Sequence, residues 1–307
     1  MPAIDYLELN DKIMIEMGIS MLFAFIWGWA ATKIAVPISI RYDIIDMPEK
    51  RKLHSEATPR GGGIVLWSGL LLFILLCHGR TDVNLVLFAW CASAVFMVGY
   101  LDDMKSLSPI LRLTLHLLAS TIVLIPLYKN GNLPPWGWLV ASIWIAAMIS
   151  AYNMIDGMNG LALCIFATSS CIFLYAFKST FWAFGIGIAL GILPWNYPKA
   201  KTFLGDGGST LLGFTHSCLL LYCLFESNAL TKSFISFCVF LALAGGIPFL
   251  DMSFAVLRRI AKGISPFSPD KEHIHHRLVR RGLYPFMVLV FMVSFHAILI
   301  TLSLKIF

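Results

Sequence analysis

Pro135-Trp136-Gly137-Trp138-Leu139-Val140-Ala141-Ser142-Ile143-Trp144-Ile145-Ala146-Ala147-Met148-Ile149-Ser150-Ala151 contains no charged side chain, and a polar cluster follows it at once: Asn153, Asp156 and Asn159, with Gly157 and Gly160 beside them. An apolar run of this kind crosses a bilayer as a helix, because a helix satisfies its own backbone hydrogen bonds where no water can. The pattern recurs over 17–40, 62–78, 84–101, 111–127, 135–151, 160–177, 181–195, 208–226, 233–257 and 284–304. The whole chain of 307 residues reads as a single all-α, polytopic membrane domain of about ten spans. Composition agrees, at 58% hydrophobic and only 13% charged. Soluble chains carry roughly a quarter charged residues, so soluble, disordered, collagen-like and disulfide-rich secreted classes are excluded. The seven cysteines are odd in number and form no C-x-x-C pair, which argues against a disulfide framework or a cysteine zinc site. An acidic start (Asp5, Glu8, Asp11, Glu16) is unlike a cleaved leader, so the first run is read as a retained span.

Charge assigns the sides. Connections 41–61, 102–110, 152–159, 196–207 and 258–283 hold fifteen Lys and Arg, whereas the opposite side holds six: Lys12, Arg80, Lys129, Lys178, Lys232 and Lys305. Short basic connections stay cytoplasmic. Both termini are then expected outside, and any site sits at the cytoplasmic face. Asp102, Asp103, Asp156, Asp206 and Asp251 all fall near that face, where an unpaired carboxylate is costly.

Five constellations lie there. Gly99-Tyr100-Leu101-Asp102-Asp103 closes a span with adjacent carboxylates, which need a cation, a shared proton or open water. Asn153 to Ala162 interrupts apolar sequence with amides, an acid and glycines, and places Asp156 at the expected mouth of the next helix. Asn196 to Thr210, with Phe203-Leu204-Gly205-Asp206-Gly207-Gly208 inside it, is expected to offer N–H donors to phosphate as it enters a helix. Asp206 is the expected metal ligand, since Mg²⁺ favours one or two carboxylates with phosphate oxygens and water. His273, His275, His276 and Arg277, near Arg280 and Arg281, are expected to bind phosphate rather than zinc. The fifth, Asp46 to Gly63, is a basic run ending in Pro59-Arg60-Gly61-Gly62-Gly63. His78, His116, His216, His296 and Glu226 are isolated and receive no role.

Taken in order, Pro59 to Gly63, Leu101-Asp102-Asp103, Asn153 to Ala162, Phe203 to Ser209 and His273 to His276 resemble the motifs of the polyprenyl-phosphate N-acetylhexosamine-1-phosphate transferases. The likeness covers essentially the whole chain, and Ser265 to His276 is WecA-like rather than MraY-like. It implies transfer of an N-acetylhexosamine 1-phosphate, GlcNAc-1-phosphate above all, from a UDP-sugar to undecaprenyl phosphate, with release of UMP. This is the opening membrane step of a cell-envelope polysaccharide of O-antigen, common-antigen or teichoic-acid type. It further implies Mg²⁺, with Mn²⁺ able to substitute.

By the same resemblance, Asp206 is similar to the metal ligand, and Asp102 and Asp103 to the pair that activates the lipid phosphate. Asp156 resembles a third catalytic acid. Phe203 resembles the aromatic that stacks on uracil, and Asn196 the amide beside the metal. Asn153, Asn159, His273, His275, His276 and Arg277 complete the implied substrate contacts. Two positions depart from the family pattern: Asn159 stands where a second acid is common, and Ser106 where WecA-like chains often carry a third.

The implied partners are UDP-N-acetylhexosamine, undecaprenyl phosphate and membrane lipids, with a homodimer left open and no nucleic acid. An MraY-type phospho-MurNAc-pentapeptide transferase is the alternative enzyme. A transporter is the alternative of another class, but its ionisable groups belong near the bilayer midplane. An intramembrane aspartyl protease would leave the histidines and glycines unused.

Overall fold

The computed structural model describes residues 3–47, 57–77, 83–226, 233–268 and 272–306. Lys50 to Lys52, His54, His78, Arg80, Lys232 and Lys271, on which parts of the sequence reading rest, lie outside the described residues. Within them the chain forms thirteen helices and one two-stranded ladder. The order is α1 (Ala3–Arg41), β1 (Ile45–Asp46), β2 (Thr58–Pro59), α2 (Gly62–Cys77), α3 (Val83–Lys105), α4 (Pro109–Val123), α5 (Ile125–Lys129) and α6 (Pro135–Ile155). Then come α7 (Leu161–Phe177), α8 (Thr180–Asn196), α9 (Gly205–Glu226), α10 (Phe234–Ala244), α11 (Gly246–Ala261), α12 (Ile274–Arg280) and α13 (Pro285–Ser303).

Among the described residues the expected apolar runs are helical, and local chemistry sets many of the boundaries. Pro109, Pro135 and Pro285 open α4, α6 and α13, where a missing N–H costs nothing. Ser108 also caps α4 by accepting from the Leu111 amide. Three expectations change. The first helix begins at Ala3 instead of residue 17, because its polar N-terminal turns continue the helix beyond the apolar stretch. The fourth run divides into α4 and α5 at Leu124, just before Pro126, which cannot donate to residue 122. The ninth run is not one straight span: α10 and α11 meet at a bend of 101°.

By length and composition, α1, α3, α6, α9 and α13 are each able to cross a membrane, and α10 with α11 would make a sixth. The apolar helices α2, α4, α7 and α8 have 15–17 residues. At 1.5 Å per residue they cover about 25 Å, a little short of a ~30 Å hydrocarbon layer. The protein is a multi-pass helical membrane protein, with five or six clear spans among the described residues rather than an established ten.

Helix α9 is the axis of the bundle. It packs against α3, α6, α2 and α7, and its apolar residues are almost wholly enclosed. Residues such as Leu22, Trp90, Tyr175 and Phe286 leave their apolar side chains exposed on the outside, which suits a lipid solvent. The ends of α3, α6 and α9 that carry the acids come together, and the functional candidates lie there.

Candidate active site

A cavity of about 580 Å³ opens where these helix ends meet. Asp103 reaches it from the last turn of α3, Asn153 and Asp156 from the end of α6, and Asp206 from the first turn of α9. Asn159, Asn196, Phe203 and His276 also line it. Eight of the twelve residues singled out from sequence therefore share one cavity, and Asp102, His273, His275 and Arg277 are not among its lining.

The two adjacent aspartates face different neighbours. One oxygen of Asp103 accepts from Arg60 Nη1 at 2.7 Å. The other accepts from the backbone N–H of Asp206 at 2.8 Å and of Gly207 at 3.4 Å. Asp102 instead pairs with Arg112 and accepts from the Leu107 amide at 2.6 Å. Neither carboxylate stands farther into water, at 8% and 9% side-chain exposure. Asp206 is more open at 34%, and only a long 3.5 Å contact joins it to Arg112.

The glycine-rich entry to α9 differs from the expected phosphate cradle. Two of the free N–H groups of its first turn already hold the Asp103 carboxylate, an anion from within the chain. Gly205 has φ +69°, and a Cβ there would come within 2.5 Å of Asp103 Oδ2. Gly208 packs on Gly63, where a Cβ would lie 2.5 Å from the Leu204 carbonyl. These glycines let α9 approach α2 and let Asp103 seat itself. They form a carboxylate cradle.

Backbone stitching explains the Pro-Arg-Gly segment. The Phe203 N–H donates to Pro59 O at 2.8 Å, and the Gly62 N–H donates to Phe203 O at 3.0 Å. Thr202 Oγ1 accepts from Gly61 N–H at 2.9 Å. Asp46 reaches Arg60 across the β1–β2 ladder, so the guanidinium is held between Asp46 and Asp103 at the cavity wall. Asn196 ties two loops together: its Oδ1 accepts from Gly160 N–H at 2.6 Å and its Nδ2 donates to Thr202 O at 2.9 Å. Asn153 accepts from Ser209 Oγ at 3.0 Å, and Asn159 donates to Pro198 O at 3.0 Å.

Asp156 is the C-cap of α6 and not the N-cap of α7, a position that Gly160 takes with φ +75°. Burial, with Asp206 and Asp103 nearby, pushes the Asp156 carboxyl well above the usual range. The histidine cluster is also divided. His273 Nδ1 pairs with Asp251 Oδ2 at 2.8 Å, and Asp251 Oδ1 accepts from the Ile274 N–H at 2.9 Å, so this acid anchors the start of α12. His275 is buried beneath the cavity with Nε2 against Gly157, and burial with the neighbouring His276 holds its pKa down to about 3. His276 alone lines the cavity, and Arg277 is exposed away from it. The expected clamp of four thus reduces to one lining imidazole, because successive helical residues point about 100° apart.

Sequence reading gave no role to Arg112, hidden inside an apolar run, and none to Asp46. It named Asp251 among the acids but not its partner, His273. Among the described residues, no three His, Cys, Asp or Glu side chains are preassembled as a metal cage.

Against known proteins, residues 85–224 match the family described as Glycosyl transferase family 4. A Bacillus subtilis (strain 168) protein named "Probable undecaprenyl-phosphate N-acetylglucosaminyl 1-phosphate transferase" is 30% identical over 291 residues, covering 89% of this chain and 80% of its own. Two proteins named "Undecaprenyl-phosphate alpha-N-acetylglucosaminyl 1-phosphate transferase" are similar as well. That of Yersinia pestis is 30% identical over 88% of this chain and 78% of its own, and that of Escherichia coli (strain K12) 31% over 85% and 75%.

Proposed function

The chain belongs to glycosyl transferase family 4, and on that premise we propose that it transfers N-acetylglucosamine 1-phosphate from UDP-N-acetylglucosamine to undecaprenyl phosphate, releasing UMP. The observation that carries this reading is the convergence of Asp103, Asp156 and Asp206 from three separate segments into one cavity shared with Arg60, Phe203 and His276. Phosphoryl transfer is catalysed chiefly by positioning and by neutralising charge, and such a cavity supplies both.

Mg²⁺ is the cofactor of this reading, with Mn²⁺ able to replace it. The donor set fits an ion that arrives with the diphosphate: Asp206 is open enough to be a ligand, and Mg²⁺ takes one or two carboxylates and fills its shell with phosphate oxygens and water. An ion held by Asp206 would supply Lewis-acid polarisation of the diphosphate and charge stabilisation for the leaving UMP. The protein does the rest. Arg60, fixed by Asp46 and Asp103 at the cavity wall, is placed to donate to a phosphate oxygen. Phe203, whose backbone is pinned on both sides, offers a ring face to uracil. His276 contributes a hydrogen-bond donor. Asp103 is the acid that activates the acceptor phosphate, while Asp102 holds Arg112 in place.

A second, apolar groove of about 490 Å³ runs between α6, α10 and α11, lined by Ile143, Trp144, Leu241, Phe249, Met252 and Leu257. It suits the acceptor's isoprenoid chain. The excess of basic residues on the connections flanking the acids supports an inner-membrane protein with the cavity at the cytoplasmic face and both termini outside. Purified protein given UDP-GlcNAc, undecaprenyl phosphate and Mg²⁺ is expected to release UMP, with UDP-GalNAc and UDP-MurNAc-pentapeptide poorer donors. Absence of UMP with every donor overturns the reading.

A further inference from the structure

We propose that two membrane-buried histidines, His216 of α9 and His296 of α13, are positioning residues that hold the break between α10 and α11 and so set the place of the acceptor groove. The break creates a specific problem. The chain turns by 101° at Gly245–Gly246, so backbone groups on either side lose their helical partners. Within a bilayer no water replaces them. Pro248 removes one orphan donor. The two histidines take one group from each side. His216 Nε2–H donates to the Ala244 carbonyl at 3.1 Å, and the Ile247 N–H donates to His296 Nδ1 at 3.3 Å.

The remaining nitrogens are also engaged, which fixes opposite tautomers. His216 carries its proton on Nε2, so its Nδ1 accepts from the Tyr152 hydroxyl at 3.0 Å. His296 accepts at Nδ1, so its Nε2–H donates to Ser169 Oγ at 2.7 Å. Both rings are 0% exposed. Gly246 has φ +57°, and any Cβ there would run into the His296 ring, so the turn and the imidazole are fitted to one another. Tyr152 lies on α6 and Ser169 on α7, which ties the break to the rest of the bundle.

What the break controls is the course of α11. That helix supplies Phe249, Met252 and Leu257 to the apolar groove. It also carries Asp251, which anchors His273 and the start of α12, and His276 of α12 lines the cavity. A shift of α11 therefore moves the groove wall and the histidine segment together. The kinetic arm of the test rests on the acceptor reading above; the structural arm does not.

Asn and Gln separate the two bonds of each ring, because an Asn oxygen reaches where Nδ1 sits and a Gln amide reaches where Nε2 sits. At 216 the bond to the break runs through Nε2, so His216→Gln is expected to be tolerated and His216→Asn not. At 296 it runs through Nδ1, so the preference reverses: His296→Asn tolerated, His296→Gln not. The disfavoured amide should raise the KM for undecaprenyl phosphate about tenfold or more while the UDP-GlcNAc KM shifts less, since a buried backbone group is left without a partner. In parallel, spin labels at Leu139→Cys on α6 and Ile260→Cys on α11, both exposed, in a background without native cysteines, report the α6–α11 distance. The distribution should stay narrow in the favoured amide variants and broaden in the disfavoured ones. The same amide preferred at both positions, or all four variants matching the parent, overturns the proposal. So does loss of folded protein with both amides at one position, because the retained bond should suffice. If the parent protein gives no UMP, the functional reading fails and the distance measurements still decide this one.

Discussion

Replacing Asp103 by Asn should cost far more activity than replacing Asp102 by Asn, at a similar cost in stability. Asp103 faces donors on both sides, Arg60 at 2.7 Å and the Asp206 N–H at 2.8 Å. An Asn amide has a single acceptor oxygen, so in either flip its NH₂ group points at another donor. One charge-assisted bond is then lost, worth about 1.5–3 kcal/mol. In kcat/KM that alone is roughly 10- to 100-fold. Asp103 also lines the cavity, and loss of a preorganised charge there brings the expected total to about 10²–10³. Asp102 suffers the same one-sided loss against Arg112 and the Leu107 N–H, but it is not part of the cavity lining. Its defect should stay within that bond term of roughly 10- to 100-fold, about tenfold below the defect of Asp103→Asn. Thermal unfolding of both variants, with UMP release measured at saturating levels of each substrate in turn, makes the comparison. Two folded variants with equal kinetic defects, or a larger one for Asp102→Asn, would refute the division of roles.

Asp206→Asn should reduce turnover about 10²–10³-fold and raise the Mg²⁺ concentration needed for half-maximal rate. An unchanged Mg²⁺ dependence in folded protein removes Asp206 from the metal site. His276→Ala should raise the UDP-GlcNAc KM, whereas Arg277→Ala should leave it within about twofold, as for an exposed surface change; the reverse order contradicts the placement of α12. Asn196→Leu should destabilise the fold by about 2–4 kcal/mol, because it orphans both the Gly160 N–H and the Thr202 carbonyl. Denaturant unfolding in detergent checks this, and an unchanged midpoint would show that Asn196 does not tie the loops.

Much of the scaffold is legible in the sequence because a bilayer leaves an unbroken apolar run few alternatives to a helix. The runs at 62–78, 160–177, 181–195 and 284–304 end within a few residues of α2, α7, α8 and α13. The failures have local causes. Gly245-Gly246-Ile247-Pro248 is a breaker signal, yet it lies inside an apolar run whose composition alone reads as one span. The histidines of α9 and α13 take up a backbone group on each side of the break, and their meeting is a matter of tertiary structure. Arg112 was hidden in the same way, since its partner Asp102 is ten residues earlier and reaches it by a turn through Ser106, which has φ +48°. The histidine segment shows the converse limit. Adjacent residues look like one cluster in the sequence, while α12 directs them to three different environments.

The glycine-rich entry to α9 carries the deepest of these lessons. A helix N-terminus attracts an anion, and the sequence cannot say whether that anion is a ligand or a carboxylate from elsewhere in the chain. Here it is Asp103, whose oxygen accepts from the very Asp206 whose own side chain points to the cavity. The two acids are thereby made unequal by one hydrogen bond. Asp103 is immobilised on both oxygens, with its charge already met by Arg60 and by α9, so it is fitted to act on something brought against it. Asp206 keeps a partly open carboxylate, 3.5 Å from Arg112 and hydrogen-bonded to the Asp102 side chain. A cation that enters with a diphosphate would meet Asp206 as the more open of the two acids, with Asp103 held in place beside it.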